Sequence, residues 1–275
     1  MPTTQPSLPA WDDSVLKQPH AVADKRSRVR QMFAAIAPSY DLNNRLHSLG
    51  QDQRWRRKAV RLAGLQPTDV VVDVACGTGD LTIEMAHALW RHDRDWPPGA
   101  GQVLGIDFTY EMLLPARGKA RSLVEGRTGD RVLTTNDHIT WINGDAQALP
   151  LPDACADVVS IAFGIRNVQD VSQALREFRR ILKPAGRLII LEFSRPDNRL
   201  IRWCNDLYCA RIMPHTATWI SGDKSGAYKY LPMSVKTFID RQEMIRKMQD
   251  AGFKDVTQHP MTFGVCVGYR GFVRD

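Results

Sequence analysis

Between residues 70 and 193 the sequence alternates five short β-rich runs with stretches of helical periodicity, and this alternation limits what the chain can fold into. The runs are bounded by turn residues and are rich in valine and isoleucine, which is typical of buried strands. Strands that alternate with helices form right-handed βαβ units, so the sequence predicts a parallel sheet with helices on both faces. The strands are predicted at residues 70–74, 103–107, 139–143, 157–163 and 187–193.

Two more strand candidates near the end of the chain complete the predicted sheet. A helix is predicted over residues 234–253, ended by Gly252, and the strand candidates follow at 253–259 and 264–272. The expected fold is therefore α/β and Rossmann-like, with a mostly parallel seven-stranded sheet and helices on both faces.

The chain divides into three regions by composition and pattern. Residues 1–24 are polar and contain prolines, which predicts a flexible tail. Residues 25–66 carry two amphipathic stretches and are expected to form an N-terminal helical cap. Residues 67–275 form the α/β domain, with an insertion at about 195–232 whose aromatic and basic residues are expected to cover the ligand edge of the sheet.

The composition limits the partners and the compartment. The 275 residues carry a formal net charge of +7 and a pI of about 9.3, which attracts anionic partners without naming one. No apolar run approaches the roughly 18 residues of a membrane span, and no secretory signal is recognisable. Five scattered cysteines without a CxxC pair indicate a reducing compartment and no metal site. We expect a cytoplasmic protein, which could act at the inner face of the membrane.

The run VVVDVACGTGDL, at residues 70–81, is a strand that ends in a glycine turn. Such turns hold dinucleotides, phosphates or S-adenosylmethionine. A dinucleotide fingerprint needs a third glycine where Thr82 stands, and a Walker loop needs a lysine that the turn lacks. A ligand without phosphate needs a close backbone turn and a carboxylate for its amino group, so the expected cofactor is S-adenosylmethionine. The residues that offer these groups are Asp73, Gly77, Thr78, Gly79 and Asp80.

The next two strands end in residues that suit the rest of this cofactor. Asp107 ends the second strand, where a carboxylate can accept both ribose hydroxyls, although it could instead cap the following helix. Asp145 and Ala146 follow the third strand, where a side-chain acceptor and a backbone N–H could contact adenine. Alone, Asp145 would be read as a turn aspartate. Three strands that all end in suitable groups favour the cofactor site.

Four long stretches resemble the ubiquinone/menaquinone biosynthesis C-methyltransferase family. The similarity runs in order from about residue 27 to 272, and FGIRNV at 163–168 is its most specific part. It implies a class I S-adenosylmethionine-dependent methyltransferase fold and C-methylation of a polyprenyl quinol. The stretches are VRQMFAAIAPSYDLNNRLHSLGQDQRWRRKAV, DVACGTGD, GDAQALPLPDACADVVSIAFGIRNVQD and LKPAGRLIILEFSRP.

The resemblance also implies which residues contact the cofactor. Thr78, Asp107, Asp145 and Ala146 fall on the contacting positions of the family. Many members have a serine that approaches the cofactor where this chain has Ala162, which has no hydroxyl for that contact.

Arg166 is the candidate for stabilising a quinol phenolate or for orienting a water that takes the proton. Asn167 is expected to hold ring oxygens, and Tyr40 to close the site from the N-terminal helices. The alternatives are a salt bridge from Arg166 to a helix acid such as Asp170, and a packing role for Tyr40.

The expected partners are the polyprenyl quinol, transient contact with the membrane surface, and a second copy in a homodimer. Demethylmenaquinol is favoured by similarity of GIDFTYEML and MTFGV to menaquinone-forming members, and the corresponding step of ubiquinone synthesis is the alternative. The net positive charge is also compatible with an RNA methyltransferase. However, the sequence shows no RNA-binding module, so no nucleic acid partner is expected. A non-catalytic S-adenosylmethionine-binding scaffold is the third possibility. Quinol binding predicts an apolar tunnel beside Arg166, whereas RNA binding predicts a continuous basic groove.

Overall fold

The computed structural model describes residues 11–12, 14–90, 101–125, 139–213, 216 and 225–274. Its centre is a seven-stranded sheet with the order β3-β2-β1-β4-β5-β7-β6. The pairs among β1 to β5 are parallel, and β7 runs antiparallel between β5 and β6. The predicted mostly parallel, seven-stranded sheet is therefore confirmed.

The strands are short and the helices lie mainly between them in sequence. The strands are β1 (Val70–Val74), β2 (Gln102–Asp107), β3 (Ile139–Asn143), β4 (Ala156–Ala162), β5 (Leu182–Phe193), β6 (Phe253–Met261) and β7 (Cys266–Val273). The helices are α1 (Lys25–Ile36), α2 (Tyr40–His47), α3 (Gln51–Ala63), α4 (Asp80–Trp90), α5 (Tyr110–Glu125), α6 (Val171–Ile181), α7 (Arg199–Leu207), α8 (Ala227–Lys236) and α9 (Arg241–Asp250).

Helices cover both faces of the sheet because both faces of its central strands are apolar. Val72 and Val159 point to one face and pack with α6 and α9, whereas Val71 and Val158 point to the other and pack with α3 and α4. The alternation of side chains along a strand produces this division. Continuous apolar strands buried on both faces are typical of parallel sheets.

The helix predicted over residues 234–253 is in fact two helices, so this prediction was wrong. Helix α8 ends at Lys236, and α9 begins at Arg241. The Asp240 side chain accepts a hydrogen bond of 2.8 Å from the backbone N–H of Glu243 and so caps α9. An aspartate followed three residues later by a glutamate is a sequence signal for a helix start, and the apolar periodicity across Phe238 obscured it.

The described part of the predicted tail, residues 11–12 and 14–24, packs against the body of the protein. Trp11 is 1% exposed and stacks on Tyr230 with ring centroids 4.1 Å apart, and Leu16 is also buried. They belong to a third apolar cluster, which joins α1 to α8. From Trp11 onwards the described residues of the predicted flexible tail therefore contact the body of the protein, and residues 1–10 and 13 lie outside the described residues.

The predicted insertion at 195–232 contains α7, a single π-helical turn at Tyr208–Ile212, and the first part of α8. A hydrogen bond of 3.0 Å between the His47 ring nitrogen Nδ1 and the Tyr208 hydroxyl joins it to α2. None of the described helices is long and apolar enough to span a bilayer.

Candidate active site

The direction in which the chain adds strands to the sheet reverses between β1 and β4. The chain adds β2 and β3 on one side of β1 and then crosses to place β4 on the other side. Such a reversal opens a crevice at the carboxyl ends of the strands, which is where open α/β sheets bind ligands. The glycine turn after β1, Asp107 at the end of β2, and Asp145 after β3 all lie at this edge.

The glycine turn is tight, and its backbone lies close to neighbouring side chains. Gly77 and Gly79 have φ values of +57° and +81°, which glycine adopts without strain. A Cβ atom at Gly79 would lie 2.5 Å from Trp141 on β3, so only glycine fits there. Ala75 also has a positive φ, of 51°, and bends the chain away from β1. These positions bring the backbone next to the crevice.

Asp107 holds the glycine turn and faces the crevice. Its two carboxylate oxygens accept backbone N–H hydrogen bonds of 2.8 Å from Gly77 and 2.7 Å from Thr109. Burial raises the pKa of Asp107 to about 6, and these two hydrogen bonds oppose the increase. The Thr109 bond resembles a helix cap, but the Gly77 bond ties β2 to the turn after β1. The carboxylate lines the cavity at the position expected of a ribose acceptor.

Asp73 lies deeper than its predicted contact with an amino group would require. It is buried, and its oxygens accept hydrogen bonds of 2.6 Å from the Thr82 hydroxyl and 2.7 Å from the Ser160 hydroxyl. Burial raises its pKa to about 6 as well. The structure therefore shows Asp73 bracing β1 against α4 and β4. Its direct contact with the cofactor stays a prediction.

Thr78 is held by the N-terminal cap. Its hydroxyl donates a hydrogen bond of 2.5 Å to Asp41 at the start of α2, and Asp41 also pairs with Lys119 of α5 at 2.8 Å. Lys119 contacts Asp80 in turn. The N-terminal cap thus contacts the glycine turn through polar and charged side chains that lie far apart in sequence.

The adenine end of the crevice is covered by a residue that the sequence analysis missed. Arg26 of α1 pairs with Asp145 at 2.9 Å, and its guanidinium lies 4.6 Å from the centroid of the Phe108 ring. Asp145 accepts a further hydrogen bond from the Gln147 backbone, and Ala146 lies buried beside it. Nothing local in the sequence marks Arg26, because the contact spans more than a hundred residues.

These groups enclose a cavity of about 100 Å³, which we call the cofactor cavity. It contains the four residues Gly77, Asp107, Asp145 and Ala146 of the predicted set, and Tyr40 and Asn167 of the predicted catalytic set. The acids Asp107 and Asp145 face it, and Arg26, the arginine among its described lining residues, is paired with Asp145. Two carboxylates suit ribose hydroxyls and an adenine amino group and oppose phosphates, so the residues fit S-adenosylmethionine.

A small extension of this cavity, about 30 Å³, lies against the glycine turn and is lined by Asp73, Thr78 and Arg56. Arg56 of α3 is buried, and its Nη1 atom pairs with Asp52 at 2.5 Å and with Asp80 at 3.6 Å. Opposite charges lie together here, as the amino-acid end of the cofactor requires. The sequence analysis did not name Arg56 as a site residue.

Arg166 lies after β4 in a short 3₁₀ turn and is 3% exposed. Its Nη1 atom donates hydrogen bonds of 2.7 Å to Glu192 and 2.6 Å to the carbonyl of Phe163. The expected alternative partner, Asp170, instead caps α6. Arg166 therefore forms a salt bridge, but with Glu192 and not with the predicted Asp170. Strand β5 lies next to β4 and brings Glu192 under the turn.

The turn that carries Arg166 and Asn167 is fixed from two further elements. The buried Lys25 of α1 donates hydrogen bonds of 2.9 Å to the Arg166 carbonyl and 2.6 Å to the Val168 carbonyl. Burial, followed by the nearby Arg166 charge, lowers the pKa of Lys25 to about 8. Asn167 accepts a hydrogen bond of 3.0 Å from the Tyr230 hydroxyl of α8.

A second cavity, of about 170 Å³, lies beside Arg166 on the other side of Tyr40 and Phe163. We call it the aromatic cavity, because rings form much of its wall. It shares Tyr40 and Phe163 with the cofactor cavity, so the two meet at these side chains. Its apolar lining consists of Tyr40, Trp55, Phe163, Phe193, Tyr208, Met213, Leu231, Pro232, Val235 and Val265.

Comparison with known proteins agrees with this geometry. The chain matches the model of the ubiE/COQ5 methyltransferase family over residues 21–273. The ubiquinone/menaquinone biosynthesis C-methyltransferase UbiE of Geobacter sulfurreducens is 41% identical over 92% of this chain and 91% of that protein. A mitochondrial 2-methoxy-6-polyprenyl-1,4-benzoquinol methylase of Dictyostelium discoideum is 34% identical over 90% of this chain and 82% of that protein.

Solved structures share the fold at low sequence identity. An S-adenosylmethionine-dependent methyltransferase of Thermotoga maritima, described as a possible histamine N-methyltransferase, gives a TM-score of 0.57 at 19% identity, over 89% of this chain and 99% of that one. One of Aquifex aeolicus gives 0.53 at 18% identity, over 79% and 89%. With the family match, these findings confirm the class I fold and the cofactor. The chain belongs to the ubiE/COQ5 methyltransferase family and uses S-adenosylmethionine.

Proposed function

We propose that this protein methylates a ring carbon of a polyprenyl quinol and converts demethylmenaquinol to menaquinol. The observation that carries the proposal is the aromatic cavity, which lies beside Arg166 and meets the cofactor cavity at Tyr40 and Phe163. A flat quinol ring suits a wall of aromatic side chains. The names of the relatives, which refer to quinone biosynthesis and a benzoquinol, support this substrate class.

The cofactor supplies a methyl group on a sulfonium sulfur. Methylation forms a carbon–carbon bond at the ring, breaks the carbon–sulfur bond, and releases one proton from the ring carbon. The reaction needs an electron-rich ring, and a phenol with an ordinary pKa near 10 is mostly un-ionised at neutral pH. A cation beside the quinol hydroxyl favours its anion. Arg166 is the buried cation at this position, and it stays charged because arginine does not readily lose its proton.

The other residues position the ring. Tyr40 and Phe163 line both cavities, so a ring held between them would lie next to the methyl donor. Holding two reactants near van der Waals contact removes much of the entropic barrier to displacement. Asn167 lies in the same turn, and its side chain is already oriented by Tyr230 and by the Phe163 carbonyl. We assign to it the binding of a quinol oxygen.

The experiment measures methyl transfer from labelled S-adenosylmethionine to short-tailed demethylmenaquinol and to the corresponding benzoquinol. Naphthoquinol turnover at a higher kcat/KM supports the proposal, and preference for the benzoquinol would assign the ubiquinone step instead. Asn167→Ala is included because it removes a proposed quinol contact without unpairing a buried charge. It should retain cofactor binding by calorimetry while turnover falls. Cofactor binding without turnover of either quinol would overturn the proposal and favour a scaffold or an RNA substrate.

A further inference from the structure

Large apolar side chains project into solvent from three neighbouring parts of the structure. Leu49 is 85% exposed, Trp203 62% and Phe263 78%. In α2 the exposed residues Leu42 and Leu46 are spaced i, i+4, and in α7 the exposed residues are spaced i, i+3 and i+7, so each helix carries one stripe, and Leu49 follows in the turn after α2. We call these residues the apolar face: Leu42, Leu46, Leu49, Leu200, Trp203, Leu207 and Phe263.

The arrangement of α7 shows that its apolar stripe has no partner within the described chain. None of its nine described residues, Arg199–Leu207, is buried. The helix is nevertheless strongly amphipathic, with the stripe through Leu200 and Trp203 directed outwards. An amphipathic helix of a globular protein normally buries its apolar side in the core. Among the described residues, nothing covers the side of α7 that carries Leu200 and Trp203.

The backbone holds two of these side chains outwards at a conformational cost. Leu49 and Phe263 have φ values of 52° and 56°, a region that large side chains rarely adopt. Phe263 lies in the turn between β6 and β7, next to Thr262, which accepts a hydrogen bond of 2.8 Å from Trp55. Strain of this kind persists where the surrounding structure imposes it and is concentrated at functional positions.

All three parts of the apolar face also contribute to the aromatic cavity. Helix α2 provides Asn44 and His47, the end of α7 provides Asn205, and the chain after Phe263 provides Val265. The His47–Tyr208 hydrogen bond joins α2 to the turn after α7. The apolar face therefore lies around the cavity in which we place the quinol ring.

The rim of the cavity is basic. Arg195 and Lys236 line it and are exposed, and Arg199 is exposed at the start of α7 beside Leu200. Two acids also line the cavity: Asp52 is buried and paired with Arg56, and Asp206 lies 3.9 Å from Arg195. Apolar side chains with a basic border match the two layers of an anionic membrane surface, acyl chains and headgroups.

We propose that the apolar face docks on an anionic bilayer and places the mouth of the aromatic cavity against the acyl chains. The proposal rests on the proposed function in one respect, since a polyprenyl tail would enter the cavity directly from the membrane. A bilayer accounts for the side chains better than a protein partner does. They project singly from two helices and a turn, and none of them lines the aromatic cavity, so they do not form the walls of a groove for a peptide or helix.

The test measures co-sedimentation of the full chain with vesicles of phosphatidylcholine and phosphatidylglycerol, without quinol. The variant is Leu49→Asn with Trp203→Gln, in which asparagine tolerates the left-handed backbone and glutamine favours a helix. The matched control is Leu114→Gln with Tyr110→Gln, which removes an exposed leucine and an exposed aromatic residue from α5. Circular dichroism melting verifies that each variant is folded.

We expect the apolar-face variant to partition to vesicles at least about tenfold more weakly, because two inserted side chains are lost. The control should bind as the unmodified protein does. Binding of the unmodified protein should weaken in high salt and on vesicles of phosphatidylcholine alone, because the basic rim then contributes less. Turnover of a short-tailed quinol in solution should be unchanged by the variant, whereas turnover of a long-tailed quinol in vesicles should fall.

Equal vesicle binding by the variant and the unmodified protein would overturn the proposal, as would an equal loss in the control. A face that instead joins two copies of the chain would show itself by a weaker dimer in the variant and no vesicle binding in any protein. Failure of the proposed function is a separate result. Quinol turnover would be absent while the difference in vesicle binding between variant and control persists.

Discussion

The cofactor cavity and the aromatic cavity meet at Tyr40 and Phe163, but the chain builds them in different ways. Strand ends and the turns after them form most of the cofactor cavity, including Gly77, Asp107 and Asp145. The aromatic cavity is formed mainly by helices α2, α3, α7 and α8 and lies outside the strand–helix alternation. The first depends on short-range rules of the fold, and the second on how distant helices pack.

This difference separates two kinds of specificity in one enzyme. A sheet edge with a glycine turn recurs in many proteins of this fold, so it can retain one cofactor while the reaction changes. The helices that cover it decide which substrate reaches the methyl group. Changes to the strand ends should therefore affect cofactor binding, whereas changes to the helical cap and the insertion should affect the quinol.

The largest effect is expected at Arg166. Replacing Arg166 with alanine should lower turnover by about 100- to 1000-fold, which is typical for loss of one group that stabilises a developing anion. It also leaves Glu192 unpaired in the interior, which typically costs about 3–5 kcal/mol of unfolding free energy. Initial rates and denaturant unfolding measure the two effects, and calorimetry should show that cofactor affinity changes little.

A double variant distinguishes catalysis from folding at this position. Arg166→Met with Glu192→Leu removes both charges, so no buried charge is left without a partner. We expect most of the lost stability to return while turnover stays low. Recovery of turnover to the level of the unmodified protein would show that the guanidinium has no role in the reaction and that Arg166 is a structural ion pair.

The next largest effect is expected at Trp11, which lies outside the aromatic cavity but packs against one of the helices that form it. Trp11→Ala should lower the free energy of unfolding by about 3–5 kcal/mol, since the ring is buried and stacked on Tyr230. Tyr230 belongs to α8, which lines the aromatic cavity. The KM for the quinol should therefore rise more than the Kd for the cofactor. Lys17→Ala, in an exposed position of the same segment, is the control and should change neither stability nor KM.

The strand-end side is tested by pH. Burial raises the pKa of Asp107 to about 6, and only its ionised form accepts hydrogen bonds from both ribose hydroxyls. Cofactor affinity should be nearly constant above about pH 7 and should fall below pH 6 with a slope that approaches about tenfold per pH unit. Asp107→Asn should have weaker but less pH-dependent affinity. Titration calorimetry from pH 5 to 8 checks both expectations, and an unchanged slope in Asp107→Asn would show that another group titrates.

The raised pKa values of Asp73 and Asp107 also predict how the stability of the protein depends on pH. Asp73 and Asp107 bind a proton more tightly in the folded chain than in the unfolded chain, where the pKa is 3.8. Their contribution to the stability of the protein without ligand is therefore largest below pH 4 and is lost as the pH rises to about 6. Asp73→Asn should remove its share of this dependence. Its effect on cofactor affinity would show whether Asp73 contacts the cofactor.

The fold was predictable because its signals are local. The strand at Val70–Val74 and the one at Ile139–Asn143 begin and end where the apolar runs do. The helix break before Asp240 was missed, although the capping signal was present, because apolar spacing continued across it. The position of Trp11 could not be predicted, since its partner Tyr230 lies 219 residues away and the flanking composition is that of a loop.

The candidate site divides in the same way. Asp107 and Asp145 were predictable because each ends a recognisable strand and the ends of parallel strands share an edge. Arg26, Arg56 and Glu192 were missed, because each acts through a contact between elements that only packing brings together. Long-range pairs of charges carry no periodic pattern, and a single sequence offers no other sign of them.

The smallest effect concerns a single hydroxyl added to the wall of the cofactor cavity. Ala162 ends β4 and lines the cofactor cavity, and the family resemblance implies a serine at this position. Ala162→Ser should tighten cofactor binding by about two- to tenfold, which corresponds to one net hydrogen bond of about 0.5–1.5 kcal/mol. Ala162→Cys is the matched control, because it adds similar volume with only a weak donor. If serine and cysteine tighten binding equally, the increase in affinity comes from packing. The cofactor cavity then needs no hydrogen-bond donor or acceptor at residue 162. If only serine tightens binding, the hydroxyl makes a hydrogen bond to the cofactor that this chain lacks. The strand ends of this chain then bind the cofactor through Asp107 and Asp145.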